Sequence, residues 1–139
     1  MDTKDRECRI RRWFDMWLRR EKPAIGAIFT PDCIYTESWG PEYRGSQAVG
    51  HWFREWNTRG RVIAWEIRRF THTDDRSIVE WYFEDRMNDG RTERFDGVSV
   101  IEWRGERIAA LKEYGCRIPH YDPYAEEAPE TSETEKNWF

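Results

Sequence analysis

Two glutamates, Glu37 and Glu113, are the residues of this sequence whose type and setting best suit chemistry. Each belongs to a strand-like alternation. Glu37 shares a face with Tyr35, and Glu113 shares one with Ala109, Leu111 and Gly115. A carboxylate that faces an aromatic interior costs on the order of several kcal/mol if it is charged and unpaired. It must therefore pair, keep its proton or border a cavity. Burial raises a carboxyl pKa toward neutrality, which is what a general acid or base needs. The plainer alternative for each is a solvated or salt-bridged glutamate at a strand end. Ser99 falls on the inward face of its own strand, either as a polar contact or as a small filler. Gly97, two residues earlier, weakens a strand unless it permits a bend or leaves room for something.

Other chemistries lack support. His51, His72 and His120 show no metal spacing, and no Cys/His cluster, HExxH, P-loop, GxGxxG or GxSxG occurs. No metal and no cofactor are expected, and a Ser-His-Asp arrangement would have no motif behind it. The 139 residues are enough for one domain with a core. Aromatics make up 16% and include nine tryptophans, so frequent charge coexists with a bulky interior, unlike a disordered chain. A net charge of −4 without a clustered basic face gives no reason to expect nucleic acid. Three cysteines without a CxxC, and no signal peptide, point to the cytoplasm. No apolar run approaches the ~18 residues that would span a membrane.

The elements that must position the two acids can be read in order. Residues 4–20 carry Ile10, Trp13, Phe14, Trp17 and Leu18 at helical spacing, one apolar stripe. Pro23 can open a short helix over 24–29. Residues 33–38 read as a strand and 39–45 as a loop. Ser46 is a candidate N-cap for a helix reaching Thr58, with Val49, Trp52, Phe53 and Trp56 as its stripe and Gly60 as its stop. Residues 61–72 form a strand with Ile63, Trp65 and Ile67 on one side. A meander follows over 76–87, 91–103 and 107–115, its turns marked by Asn88-Asp89-Gly90 and Gly105. Strands of about 12 residues span roughly 40 Å, and a sheet that long twists into a concave face. The face through Trp65, Trp81, Phe83, Phe95 and Leu111 is the more aromatic and is assigned to the concave side. The opposite face mixes Glu66, Arg68, Glu80, Arg94, Asp96 and Lys112 with Val98, Val100 and Tyr82, which suits a subunit interface. From Pro119 the composition turns acidic, and 119–139 is read as a mobile tail after a domain of 1–118, with docking of Trp138-Phe139 left open.

This order, with the stretches Arg12-Trp13-Phe14, Phe29-Thr30-Pro31-Asp32-Cys33-Ile34-Tyr35-Thr36-Glu37-Ser38, Tyr43-Arg44-Gly45, Phe95-Asp96-Gly97-Val98-Ser99 and Leu111-Lys112-Glu113-Tyr114, resembles the SnoaL-like branch of the nuclear-transport-factor-2-like superfamily over roughly residues 8–118. The resemblance implies an α+β, cystatin-like cone: a strongly curved antiparallel sheet wrapped around N-terminal helices. It implies an internal pocket for a small, largely apolar molecule, and often a homodimer through the outer sheet face. Members include polyketide cyclases, ketosteroid isomerases, dehydratases, epoxide hydrolases and non-catalytic binding domains. Glu37 falls where the isomerases keep a general-base aspartate. Trp13 and Ser99 replace their tyrosine and protonated aspartic acid, so that oxyanion hole is not reproduced. Glu113 falls near the carboxylate of the epoxide hydrolases, but Trp81 and Phe83 replace its arginine and aspartate partners. The expected pocket is walled by Trp13, Trp17, Tyr35, Trp56, Trp65, Trp81, Phe83, Phe95 and Leu111, with Glu37, Ser99 and Glu113 as its polar groups. Metal-free isomerisation, cyclisation or dehydration with Glu37 as base is one expectation. A non-catalytic ligand-binding or dimerisation module is the other.

Overall fold

The computed structural model describes residues 1–21 and 24–125. Pro23, the acidic stretch from 126 onward and Trp138-Phe139 lie outside the described residues. Helix α1 (Thr3–Arg19) begins in a capping box between Asp2 and Asp5 and ends on Arg20 in the left-handed region. Its buried stripe is Ile10, Trp13, Phe14 and Trp17, joined by Met16 and Arg6. Arg6 was not assigned an inward role by spacing. Its guanidinium donates to the carbonyls of Thr73 (2.7 Å) and Arg76 (3.2 Å), and to that of Asp74, locking the helix to a sheet turn.

The short helix α2 (Ile25–Ile28) leads directly into β1 (Phe29–Thr36), which therefore starts four residues before the expected Cys33. The segment read as a loop contains a short strand, β2 (Glu42–Arg44), antiparallel to β1 with Tyr35 opposite Tyr43. Helix α3 (Ser46–Arg59) is capped by Gly45, not by Ser46, which is its first helical residue and makes no side-chain cap. Gly45 has φ +92°, and a Cβ there would meet the Pro31 carbonyl at 3.2 Å, so the turn into the helix needs glycine.

Strands β3 (Gly60–His72), β4 (Arg76–Met87), β5 (Thr92–Arg104) and β6 (Arg107–Arg117) form the expected antiparallel meander. The sheet order is β2-β1-β6-β5-β4-β3. It is mixed, because β1 lies parallel to β6. The fold is thus the α+β, curved-sheet architecture expected, with the helices packed on its concave face. Two bulges correct the alternation. In β3 the register shifts between Val62 and Ala64, so Val62 turns inward at 2% exposure while Ile63, assigned inward, is 43% exposed. In β6 a shift near Trp103 puts Ile108 in the core in place of Ala109. A bulge adds one residue and so reverses which parity faces the core.

The core is aromatic. Trp13 packs edge-on against Phe29 and Trp17, and Phe14 stacks on Trp65 at 3.8 Å. Each fully buried indole removes roughly 200 Å² from water, a gross ~5 kcal/mol. Packing alone therefore accounts for Trp13 and Trp81, at 0% and 2% exposure.

Candidate functional site

The parallel pairing of β1 with β6 brings the two acids together. Tyr35 is paired with Leu111 and Thr36 with Lys112. Glu37 is the residue that follows β1 and Glu113 the residue that follows Lys112 in β6, and the Glu37 charge acts on the Glu113 carboxyl. Both carboxyls line a cavity of about 980 Å³ between the helices and the concave sheet face. Trp17, Trp52, Trp56, Trp65, Trp81, Phe83 and Phe95 supply its aromatic walls.

Each acid is held by a phenol. Trp13 Nε1 donates to the Tyr35 hydroxyl at 3.4 Å, and Tyr35 donates to Glu113 Oε2 at 2.5 Å. Burial pushes the Glu113 carboxyl up to about 8; the Tyr35 hydroxyl opposes this and the neighbouring Glu37 charge adds to it. Tyr43 donates to Glu37 Oε2 at 2.8 Å and is itself stacked on Trp52, with ring centroids 4.4 Å apart. Burial also raises Glu37, against the hydrogen bonds from Tyr43 and Trp39, while the Glu93 charge raises it and the Arg59 charge lowers it. Burial, then the Glu113 charge and its hydrogen bond, push the Tyr35 hydroxyl well above its ordinary value, with the Glu37 charge adding and the Trp13 indole opposing, so it stays a donor. Near neutral pH this geometry gives a carboxylic acid that keeps its proton, next to a carboxyl with more support for its charge.

Of the residues assigned to the pocket from sequence, Trp17, Trp56, Trp65, Trp81, Phe83, Phe95, Glu37 and Glu113 line the cavity. Trp13, Tyr35, Ser99 and Leu111 do not; they are buried one layer behind it. Tyr35 reaches the site through its hydroxyl. Ser99 lies opposite Glu113 in β5 but its Oγ accepts the Trp81 indole N–H at 3.0 Å, which fixes that ring. Gly97 is what lets the ring lie there: a Cβ at Gly97 would sit 2.4 Å from Trp81 Cη2 and 2.6 Å from the Tyr114 carbonyl.

Asp85 and Glu93 line the cavity and were not identified from sequence. Asp85 continues the inward series of Val79, Trp81 and Phe83 by one more step, so the signal was present in the alternation. It is 4% exposed, its Oδ1 is buried without a hydrogen-bond partner, and burial together with the Glu93 charge pushes it up to about 7. Trp52, Tyr43 and Arg59 were also missed as lining residues.

A serine-histidine-carboxylate series does exist elsewhere. His72 Nδ1 lies 2.7 Å from Ser77 Oγ and His72 Nε2 lies 2.9 Å from Glu7. Ser77 is fully buried, accepts the Trp103 indole N–H at 2.9 Å, and lies outside the cavity. The series ties α1 to the sheet. Among the described residues no three His, Cys, Asp or Glu side chains gather as a metal ion requires, and no helix is long and apolar enough to cross a membrane.

A curved sheet closing a cavity under N-terminal helices, with carboxyls at its floor, defines a class of cone-shaped α+β proteins. The chain belongs to the SnoaL-like domain family, whose model matches residues 10–111. No curated protein matches it. Among solved structures it is similar to an LEH-like epoxide hydrolase of M. tuberculosis (TM-score 0.73, 15% identity, 82% of this chain and 84% of that one). It is similar to an NTF2-like protein of Burkholderia xenovorans LB400 (TM-score 0.70, 18% identity, 84% and 92%). It is also similar to a hypothetical protein with a ketosteroid isomerase-like fold from Catenulispora acidiphila, solved in complex with trimethylamine (TM-score 0.68, 17% identity, 76% and 83%). At these identities the likeness is one of fold, and the trimethylamine belongs to that neighbour.

Proposed function

We propose that the cavity binds a small, largely apolar molecule and that Glu37 and Glu113 perform metal-free acid–base chemistry on it. The observation that carries this is the pair itself: two carboxyls that feel each other's charge, each on its own phenol, lining one cavity walled by indole and phenyl rings. Paired carboxyls whose surroundings separate their proton affinities divide into an acid and a base. Glu113, which burial and the Glu37 charge keep protonated, gives or shares a proton. Glu37, which has Tyr43, Trp39 and Arg59 supporting its charge, takes one from carbon or water. Isomerisation, cyclisation and dehydration of a small carbonyl or hydroxyl compound all need this pairing and no redox partner. The outer sheet face, where Tyr114 is 51% exposed, is proposed as the contact between two copies of the chain.

The test is to screen ketone, enol and epoxide compounds against the wild type and Glu37→Gln. Turnover by the wild type, lost in the variant while binding is retained, supports the reading. Binding without turnover in both proteins would replace it with a non-catalytic ligand-binding module.

A further inference from the structure

The hairpin of β1 and β2 reaches Glu37 twice. Tyr43, on β2, donates its hydroxyl to Glu37 Oε2 at 2.8 Å. Trp39, in the turn between the two strands, donates its indole N–H to the same carboxyl. That turn is closed by its own main chain. The Glu37 N–H donates to the Pro41 carbonyl at 2.8 Å, and the Gly40 N–H to the Glu37 carbonyl at 3.2 Å. Gly40, at φ +123°, takes the left-handed conformation the turn needs. The indole thus stands on a defined support, two residues from the acid it holds.

The exposure of Trp39 is unusual in this chain. It is 67% exposed, and it is the one exposed tryptophan among the described residues. Among those residues no other aromatic ring contacts it, whereas Trp52 stacks on Tyr43 and meets Trp17 at 4.9 Å. Yet Trp39 lines the cavity with Trp52, Trp56 and Tyr43. A lone apolar side chain on a surface needs no explanation. This one borders an aromatic cavity, bonds the acid in it, and presents a free ring where the cavity meets solvent. Indole suits both tasks, because it joins a broad apolar face to a polar N–H. Charge does not choose the ligand here: Arg59, Arg91, Arg94 and Arg117 line the cavity beside its four carboxyls. Ring contact is what the free face of Trp39 adds.

We propose that Trp39 is both a specificity-determining and a positioning residue. Its ring covers the outer end of a ligand that terminates in a flat ring, and its indole N–H holds Glu37 in place as the base. This rests on the cavity being a ligand site with Glu37 as its base, as proposed above.

The experiment uses the intact protein with 2-naphthol as the flat-ring probe. Calorimetry reads its affinity, and carbon-13 NMR of the side-chain carboxyls reads the Glu37 midpoint. Trp39→Phe keeps a ring and removes the N–H; Trp39→Leu removes both. The other charged groups that act on Glu37, namely Glu93, Arg59 and Glu113, are left in place by both variants. The Glu37 midpoint is expected to rise in both, because a donor to the charged form is lost. Naphthol affinity is expected to fall roughly two- to tenfold in Trp39→Leu, the scale of one aromatic pair, and to be largely kept in Trp39→Phe. Wild-type binding that Trp39→Leu leaves unchanged, or a Glu37 midpoint that neither variant moves, overturns the inference and leaves the cavity reading standing. A changed oligomeric state in Trp39→Leu also overturns it, by making the ring a contact between copies. Absence of naphthol binding to the wild type overturns both.

Discussion

Replacing Glu113 with glutamine should stabilise the protein at alkaline pH. The Glu113 carboxyl is raised from 4.5 to about 8, first by burial. Between those two values the folded chain holds a proton that the unfolded chain has lost, so stability falls as pH rises through this window. Each pH unit of it is worth about 1.4 kcal/mol, so the full loss above pH 8 is on the order of 4–5 kcal/mol. Glutamine has the same shape, is neutral at every pH, and offers a carbonyl to the Tyr35 hydroxyl. The variant should therefore match the wild type near pH 4.5 and exceed it increasingly toward pH 9. Urea denaturation at intervals across this range measures the difference. A wild-type-minus-variant stability that does not change with pH would refute the reasoning, because it would mean that Glu113 ionises as easily folded as unfolded.

Three further substitutions probe the supports of the site. Tyr35→Phe removes the hydroxyl that favours the Glu113 carboxylate, so the Glu113 midpoint should rise further, by about one pH unit for a charge-assisted bond of this kind; a carboxyl titration by NMR checks it. Ser99→Ala leaves the buried Trp81 indole N–H without its acceptor and should cost about 1–3 kcal/mol in urea denaturation, with no change in the Glu113 midpoint. Gly97→Ala forces a methyl group against the Trp81 ring and the Tyr114 carbonyl, and should destabilise by about 1–3 kcal/mol while shifting tryptophan fluorescence; an unperturbed variant would show that the ring is not seated as described.

Much of this architecture was readable from periodicity. The stripe of α1 and the parity of β4 and β5 placed Trp17, Trp81, Phe83 and Phe95 on the faces they occupy. The failures have physical causes. Ile63 and Ala109 were assigned inward because alternation assumes an unbroken period of two, and a bulge resets it without a mark in the residue types. The strand β2 is three residues long and takes its pairing from β1, so nothing local to Glu42, Tyr43 and Arg44 signals it. The parallel register of β1 on β6, which ends with Thr36 on Lys112 just before the two acids, joins segments about 75 residues apart and is a tertiary fact. Tyr35 and Ser99 were on the correct face, but which buried hydroxyl meets a carboxyl and which meets an indole depends on depth along the strand. Asp85 was legible in the same alternation that placed Phe83; its unpartnered oxygen was not.

Both acids face an aromatic cavity whose walls alter their proton affinity. Carbon-13 NMR of the side-chain carboxyls, assigned with Glu37→Gln and Glu113→Gln, tests it most directly. The expected result is a Glu113 midpoint near 8 and a Glu37 midpoint above its ordinary 4.5. Two midpoints at the ordinary glutamate value would show both carboxyls bathed in bulk water, and would contradict it.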